Sequence, residues 1–289
     1  MISNGAKRTP VIDAHHHFWT VERGDYHWMT PEAPALYRDY GPDDLLPHLK
    51  FYGIDATILV QAAQTVAETG YLLDIAERSP FVAGVVGWVD LTSPSAPAEV
   101  AELARHPLLV GLRPMVQDIE DDDWLLRNDL APAMAAIVEH GLTFDALIFP
   151  RHLPRLAAFL DRYPDLPVVL DHGAKPLIKD AILNPWRADM AAIAARPRTF
   201  CKISGLVTEA EPDWKISDVA PYVEHIVEVF GPGRLMWGSD WPVVNVARGY
   251  RDWHDAAVAM LAGLTELERA MVFGGNAAQF YLGARGRAI

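Results

Sequence analysis

The sequence is poor in cysteine and in positive charge, and each shortage excludes a class of function. Cys201 is the single cysteine among 289 residues, so an internal disulfide and a cysteine-rich metal site are both excluded. Lysine and arginine number 25 against 38 aspartates and glutamates, which gives a net charge of −13 at pH 7. Because nucleic-acid binding needs a basic face, this balance argues against such a partner, and more weakly against an anionic membrane surface.

Long apolar runs are missing as well. No window of about 18 apolar residues occurs, so the sequence predicts no membrane span. The N-terminal segment MISNGAKRTP carries Lys7 and Arg8 with no apolar stretch behind them, which predicts no signal peptide. We therefore expect a cytoplasmic protein, and we expect it to be a monomer or a homodimer.

Several common motifs of nucleotide-binding proteins and hydrolases do not occur. No Gly-x-Gly-x-x-Gly follows the first predicted strand, and no phosphate-binding loop is found. A Gly-x-Ser-x-Gly nucleophile elbow is also missing. These absences argue against a dinucleotide-binding fold and against a serine nucleophile of the usual hydrolase type.

What the sequence does contain is a repeated alternation of short β-branched runs with amphipathic segments. The runs are nearly continuous in apolar residues, which is typical of parallel strands covered on both faces. Strands are predicted at 11–18, 56–63, 82–91, 109–117, 143–150, 167–174, 199–207 and 234–242. Helices are predicted between and after them at 43–52, 68–78, 97–106, 131–140, 153–162, 185–195, 219–230 and 253–261.

This order of elements predicts the fold class. A closed α/β barrel takes roughly 250 residues, so the chain is long enough for one barrel with little left over. We predict a single domain over residues 1–289, a (β/α)₈ TIM barrel with a short C-terminal helical extension. An open doubly wound sheet is disfavoured because the first strand ends in histidines and not in a glycine-rich turn.

Histidines in the segment IDAHHHFW are the first candidate site residues. Alternate side chains of a strand share a face, so His15 and His17 should face one side and His16 the other. Two histidines in this spacing can bind one metal ion or one substrate oxygen from the same side. Since they end the first strand, we assign them to the functional end of the barrel.

Two later strands end in further candidates. His172 in LDHGAKP ends the sixth strand, and Asp240 in GSDWPV ends the eighth. A buried carboxylate beside histidines can act as a general base on water, or it can ligate a metal. Lys175, just after His172, is placed to contact a polar substrate, although a solvated loop lysine explains it equally well.

Other residues are weaker candidates. Arg113 ends the fourth strand, where it can contact a substrate or form a structural ion pair. Lys202 on the seventh strand needs a carboxylate if it points inward, and Asp13 on the His15 face is the predicted partner. Trp28, in the long aromatic loop at 20–40, and Trp241 are predicted to contact the face of a substrate ring.

The motifs IDAHHHFW, VVGWVDL, GLRPMVQD, LDHGAKP, CKISGLVTEA and GSDWPV, with the terminal GGNAAQFY, occur in this order along nearly the whole chain. Together they resemble the amidohydrolase superfamily, and within it the sugar-lactonase group. The resemblance implies a TIM barrel that hydrolyses a lactone, a cyclic ester. The implied substrates are aldonolactones such as L-fucono-, L-rhamnono- or L-galactonolactone.

The resemblance matches His15, His17, His172, Asp240 and Arg113 to site positions of the family, and the chemistry of lactone hydrolysis then predicts a role for each candidate residue. Asp240 would be the general base on water, and His172 would polarise the substrate carbonyl. His15, His17, Arg113, Lys175, Trp28 and Trp241 would contact the substrate. The metal ligands, if a metal is used, would be His15, His17, His172 and Asp240.

Because the sequence departs from the family pattern, the resemblance does not decide whether a metal ion is bound. Strand five reads TFDALIFP and lacks the histidine of a two-metal site. Val89 stands where relatives carry glutamate, and His16 stands where glutamine is common. The expectation is one divalent ion, with zinc the first choice, or a metal-independent reaction.

Two alternative reactions remain on the same fold. One is hydrolysis of a dicarboxylate lactone of the pyrone-dicarboxylate or muconolactone type, and the other is metal-dependent decarboxylation. A diacid needs several cations, and few are offered near the predicted site. The abundance of tryptophan and histidine favours a neutral polyhydroxylated ring as the small-molecule partner.

Overall fold

The computed structural model describes residues 8–287. Residues 1–7, where the sequence predicts no signal peptide, and residues 288–289 lie outside the described part. Within the described residues, no helix is both long enough and apolar enough to cross a membrane.

Eight parallel strands form one sheet in sequence order, β1 to β8. They are β1 Ile12–His16, β2 Ala56–Val60, β3 Val82–Gly87, β4 Leu109–Leu112, β5 Thr143–Ala146, β6 Val168–Leu170, β7 Thr199–Ile203 and β8 Leu235–Trp237. The sheet closes where His17 N donates to Trp241 O at 2.7 Å and Asp240 N donates to His15 O at 2.8 Å. The prediction of a (β/α)₈ barrel is therefore confirmed.

The α-helices lie between the strands and after the last one. They are α1 Pro42–Tyr52, α2 Val66–Arg78, α3 Ala96–Leu103, α4 Ala131–Glu139, α5 Leu153–Arg162, α6 Trp186–Ala194, α7 Ile216–Phe230, α8 Tyr250–Met260 and α9 Glu266–Ala270. Local contacts help to set where a helix begins. At the start of α2, for example, the Thr65 hydroxyl caps the helix by accepting from Glu68 N at 3.1 Å.

A β-bulge in β1 changes which side chains face the barrel interior. Asp13 is level with Thr57 of β2, but His16 is level with Leu59, so β1 holds one extra residue between these pairs. Ile12 and Ala14 pack into the apolar interior. The extra residue then places His15 inside as well, directly after Ala14, which strict alternation does not allow.

The C-terminal segment closes the bottom of the barrel. It continues from α9 through two π-helical turns, Met271–Gly275 and Ala278–Leu282. Phe280, Tyr281 and Leu282 pack against the inward residues of the strands, among them Ile12 and Ile58. The predicted C-terminal helical extension is therefore an apolar plug, and it leaves the opposite end of the barrel for the site.

Candidate active site

The carboxyl ends of β1, β6 and β8 bring four predicted residues together. His15 Nε2 lies 3.2 Å from His17 Nε2. Asp240 Oδ1 is 3.7 Å from His15 Nε2, 3.4 Å from His17 Nε2 and 3.8 Å from His172 Nε2. These four side chains are at most 4% exposed, so their mutual attractions act largely out of water.

Neighbouring groups orient the two histidines on either side of Asp240. His17 Nδ1 lies 2.8 Å from the carbonyl of Val60, which can only accept, so this nitrogen carries a proton. His172 Nδ1 lies 2.9 Å from the Ser204 hydroxyl, which can donate or accept. Both histidines therefore direct Nε2 toward the Asp240 carboxylate.

The backbone around the site is in an unfavourable conformation. His172 has φ +55°, Lys175 has φ +50° and Asp240 has φ +56°, values that side-chain-bearing residues rarely adopt. Such strain persists only where the surrounding structure enforces it, and it is concentrated at functional sites. The turns after β6 and β8 therefore hold a strained backbone, and this strained conformation places the side chains of His172 and Asp240 in the site.

Gly205, which follows β7, is required by this packing. Its φ is +58°, and a Cβ there would lie 2.4 Å from His172 Nδ1 and 2.9 Å from Asp240 Oδ2. A side chain would therefore collide with two of the candidate residues. The position was not singled out from the sequence, because nothing local distinguishes it from other glycines.

Lys202 does not pair with Asp13, so that prediction is wrong. Its ammonium lies 2.7 Å from Asp145 Oδ2 and 2.9 Å from Asp171 Oδ1, and all three residues are fully buried. Asp13 instead accepts from Ser239 N at 2.8 Å and from the Tyr250 hydroxyl at 3.2 Å. The bulge in β1 is the physical reason, because it puts Asp13 and His15 on different faces.

Arg113 forms a structural ion pair and also reaches the cavity. Its guanidinium donates to Asp171 Oδ2 at 3.1 Å and to Gln61 Oε1 at 2.8 Å. The Asp171 carboxylate therefore faces the barrel interior, although the next residue in the chain, His172, faces the same cluster. The short turn after β6 directs the Asp171 carboxylate inward to the two buried cations.

The network continues to the bottom of the barrel. Tyr281 in the C-terminal plug donates to Asp145 Oδ2 at 2.6 Å. A chain of contacts thus runs from Tyr281 through Asp145 and Lys202 to His15, whose Nδ1 is 3.1 Å from the Lys202 ammonium. Asp145 and Tyr281 were missed at the sequence level because their partners are 57 and 136 residues away.

Electrostatics leaves Asp240 ionised and keeps His15 and His172 neutral. Burial by itself would raise the pKa of Asp240, but the facing His172 and the hydrogen bond with His17 hold it below its usual value. Burial lowers the pKa of His172 to about 4 against a weaker opposing pull from Asp240. Burial, reinforced by Lys202, holds the pKa of His15 well below its usual range.

A cavity opens above this cluster, with an empty volume of about 600 Å³, part of it open to solvent. Its polar wall includes His17, His172, Asp240, Arg113 and Lys175. The remaining wall residues, not singled out from the sequence, are Ala62, Met115, Gln117, Asp118, Leu147, Thr208 and Val243, with Trp28 at the mouth. Most of these residues come shortly after a strand end, and this position could have identified them as wall residues from the sequence.

Two predicted contact residues are placed away from this wall. His15 is fully buried behind His17, and Trp241 packs against Tyr40 and Phe18 with ring centroids 5.1 and 6.2 Å away. Trp28 does line the cavity, where its Nε1 donates to Ala62 O at 2.8 Å and its side chain remains 40% exposed. Lys175 also lines it, and its ammonium lies 3.7 Å from Glu209 Oε1.

The spacing of the ligand atoms fits one divalent ion. Zinc bonds of about 2.0–2.1 Å place tetrahedral ligand atoms roughly 3.4 Å apart. The ligand atoms of His15, His17 and Asp240 are separated by 3.2 to 3.7 Å. His172 belongs to a second such group with His15 and Asp171, in which all ligand atoms lie within 4.8 Å of one another.

Comparison with known proteins agrees with this geometry. The family model described as amidohydrolase matches residues 12–282. An L-fucono-1,5-lactonase of Burkholderia ambifaria is 48% identical over 276 residues, covering 93% of this chain and 94% of that protein. An L-fucono-1,5-lactonase of Burkholderia multivorans is 38% identical over 288 residues, covering 93% of this chain and 95% of that protein.

Solved structures agree as well. A crystal structure of an amidohydrolase from Burkholderia multivorans with bound zinc superimposes with a TM-score of 0.90 and 37% identity. It covers 94% of this chain, and this chain covers 99% of it. Matches of this extent in sequence and in structure establish the relationship: the chain belongs to the amidohydrolase family.

Proposed function

We propose that this enzyme hydrolyses a neutral aldonolactone to the aldonate, and that L-fucono-1,5-lactone is the first substrate to test. The observation that carries the proposal is the position of Asp240, a carboxylate that lines the cavity within 3.4 to 3.8 Å of His15, His17 and His172. Such a group can take a proton from water. The two similar L-fucono-1,5-lactonases supply the substrate class.

Asp240 starts the reaction by accepting a proton from a water molecule as the water oxygen attacks the lactone carbonyl carbon. The carbonyl oxygen becomes a tetrahedral oxyanion. When the ring C–O bond breaks, the protonated Asp240 returns its proton to the leaving ring oxygen. The balance is one water consumed and one hydroxy acid formed, whose ionisation at neutral pH releases a proton.

His172 stabilises the oxyanion. If the Ser204 hydroxyl donates to His172 Nδ1, the proton of the neutral ring is on Nε2, the nitrogen that faces Asp240 and the cavity. A hydrogen bond that strengthens as negative charge develops on the carbonyl oxygen is worth roughly 3 kcal/mol in other enzymes. Because its pKa is lowered to about 4, His172 donates as a neutral imidazole at neutral pH.

The cavity wall favours a neutral substrate over a diacid. The cations that reach it, Arg113 and Lys175, already face Asp171 at 3.1 Å and Glu209 at 3.7 Å. Asp118 adds negative charge, which disfavours a second carboxylate on the substrate. The apolar side formed by Met115, Leu147, Val243, Ala62 and Trp28 suits a ring face or a methyl group.

The proposed reaction is compatible with a bound metal ion but does not require one. Bound by His15, His17 and Asp240, a zinc ion would supply Lewis-acid polarisation and a more acidic bound water. The roles given to Asp240 and His172 are then shared with the ion, and the lactone stays in contact with the same cavity wall.

A pH-indicator screen tests the function. L-fucono-, L-rhamnono- and L-galactonolactone and two dicarboxylate lactones are offered to the full chain, with and without chelator and added zinc. We expect acid release from the aldonolactones and little from the diacids. Preference for a diacid lactone would replace the substrate class, and carbon dioxide release from an aromatic acid with no lactone opened would replace the reaction.

A further inference from the structure

Glu68 lies fully buried in the first turn of α2, and the proposed reaction does not use it. Its carboxylate accepts hydrogen bonds from the Gln61–Ala63 turn, which connects β2 to α2. We propose that Glu68 is a positioning residue, which clamps this turn so that the Ala62 carbonyl holds the indole of Trp28 at the mouth of the cavity. The effect on substrate affinity rests on the proposed function, whereas the effect on Trp28 rests on geometry alone.

Three contacts join Glu68 to the turn. Ala62 N donates to Oε1 at 3.0 Å and to Oε2 at 3.1 Å, and Ala63 N donates to Oε2 at 2.7 Å. One side chain therefore satisfies two consecutive backbone N–H groups, which would be costly to leave unpaired in a buried position. Because Oε2 accepts from both groups, the turn stays held when Oε1 carries a proton.

The same sequence pattern elsewhere in the chain produces an ordinary helix cap. TVAE from Thr65 to Glu68 and TELE from Thr265 to Glu268 both have the form of a capping box. At the start of α9, Glu268 Oε2 accepts from Thr265 N at 2.8 Å. At the start of α2, the Thr65 hydroxyl caps the helix, but the Glu68 carboxylate reaches past the cap to the turn. Glu68 therefore supports a segment outside its own helix.

The clamped turn in its place holds Trp28. Trp28 Nε1 donates to Ala62 O at 2.8 Å, and the indole has no second donor. The side chain is 40% exposed, and it meets the ring of Trp19 edge-on with centroids 5.4 Å apart. A ring with so little burial takes much of its orientation from its hydrogen bond. Moving the Ala62 carbonyl should therefore turn the indole that lines the cavity.

The start of α2 also holds the loop that carries Trp28. The Thr65 hydroxyl donates to Asp25 Oδ2 at 3.2 Å, and it accepts from Glu68 N at 3.1 Å. This second anchor does not pass through the Glu68 carboxylate. Loss of the carboxylate should therefore reorient the indole while the loop backbone stays attached to α2.

Arg113 also contacts this turn but has support from elsewhere. Its guanidinium donates to Gln61 Oε1 at 2.8 Å and to Asp171 Oδ2 at 3.1 Å. The Asp171 contact lies outside the turn and is an ion pair between buried groups. We therefore expect the effect of Glu68 to fall on Trp28, and so on substrate binding more than on the chemical step.

The indole signal of Trp28 tests the geometry without any substrate. In the full chain labelled with ¹⁵N-tryptophan, the Nε1–H signal of Trp28 is the one lost in Trp28→Phe. Glu68→Met removes both acceptors, so we expect this signal to shift and its proton to exchange faster with water. The indole of Trp186, which donates to Gly173 O at 2.8 Å, should keep its signal. An unchanged Trp28 signal in folded Glu68→Met would overturn the proposal.

Kinetics on L-fucono-1,5-lactone test the effect on binding. We expect Glu68→Met to raise KM by about tenfold and to change kcat by less than about twofold, since the lost contact is shared by ground state and transition state. Combining it with Trp28→Leu should be no worse than Trp28→Leu alone, because both changes act through the indole. Additive effects would overturn the proposal. If the wild type opens no lactone, the proposed function fails and the indole signal still decides.

Further variants separate positioning from folding. Glu68→Gln keeps an oxygen that can replace Oε2, so it should restore a KM and a Trp28 signal close to those of the wild type. Glu268→Met removes the matched glutamate of α9 and should leave both unchanged. If Glu68→Met does not fold, Glu68→Asp replaces it, because its carboxylate is one methylene further from the turn. A wild-type KM and Trp28 signal in Glu68→Asp would then overturn the proposal.

Discussion

Asp171 and Asp240 are both buried carboxylates beside His15, but their surroundings differ. Asp171 Oδ1 lies 3.4 Å from His15 Nδ1, and its carboxylate also faces Lys202 and Arg113. Asp240 Oδ1 lies 3.7 Å from His15 Nε2 and otherwise faces His17, His172 and the cavity. One carboxylate is enclosed by cations, and the other is open to a ligand.

The difference favours a structural role for Asp171 and fits the chemical role proposed for Asp240. Burial opposes ionisation of Asp171, but Lys202, His15 and Arg113 hold its pKa well below its usual range. Such a carboxylate has little tendency to take up a proton, and it does not line the cavity. Asp240 is ionised through weaker contacts, so it can exchange a proton with water.

The largest expected effect is on activity at Asp240. Asp240→Asn keeps the size of the side chain but removes the base, so kcat/KM should fall by at least about 100-fold while the thermal unfolding profile stays close to wild type. Lactone hydrolysis followed with a pH indicator measures this. Asp118→Asn, which changes another carboxylate of the cavity wall, should keep most of the turnover; near-wild-type activity of Asp240→Asn would end its assignment as base.

Asp171→Asn should lower the stability of the fold, whereas Asp240→Asn should leave it close to that of the wild type. The substitution leaves Arg113 and Lys202 buried with only one carboxylate, Asp145, between them, and an unpaired buried charge costs about 3 to 5 kcal/mol of unfolding free energy. Denaturant unfolding measures the loss. Asp161→Asn, which removes an exposed pair with Arg196, is the matched control and should change little; equal stability of the two variants would contradict the comparison.

A third buried carboxylate, Asp13, extends the comparison because it has neither a cation nor the cavity beside it. Burial raises its pKa to about 6 from 3.8, against the weaker effect of its hydrogen bonds with Ser239. The unfolded chain loses this proton first as pH rises, so the contribution to stability falls between about pH 4 and 6, by about 3 kcal/mol in total.

Unfolding free energies of wild type and Asp13→Asn over this pH range isolate the effect. The unfolding free energy of the wild type relative to Asp13→Asn should fall as the pH rises from about 4 to 6, because the asparagine cannot titrate. Other buried acids, such as Glu68 with a pKa raised to about 7, contribute equally to both proteins and cancel. Parallel curves would mean that Asp13 is ionised in the folded protein.

The smallest expected effect is the pH dependence of activity. Asp240 has a lowered pKa and His172 a pKa of about 4, so both groups keep their working forms throughout the neutral range. We expect kcat/KM to be level from about pH 8 to pH 5 and to fall by about tenfold per unit only at more acidic pH. An acidic limb centred near neutrality would show that another group titrates.

The sequence predicted the barrel and most of the residues at its open end. Apolar runs and their spacing are local properties, so β1 to β8 could be located before any contact was known. His172 and Asp240 could be placed at the open end because they follow strand ends, where catalytic groups of barrels lie. Trp241 was assigned to the cavity by the same rule and instead packs against Tyr40, since the turn after β8 directs the indole away.

The sequence by itself determined the eightfold strand and helix order and the identity of the groups at the strand ends. Only the tertiary structure decided which carboxylate each cation meets. One extra residue in β1 turned Asp13 away from Lys202, and a left-handed turn after β6 brought Asp171 and His172 into the same cluster. The physical reason is that pairing among buried charges depends on side-chain direction within a few ångströms, and strand periodicity does not fix that direction where the strand bulges or turns.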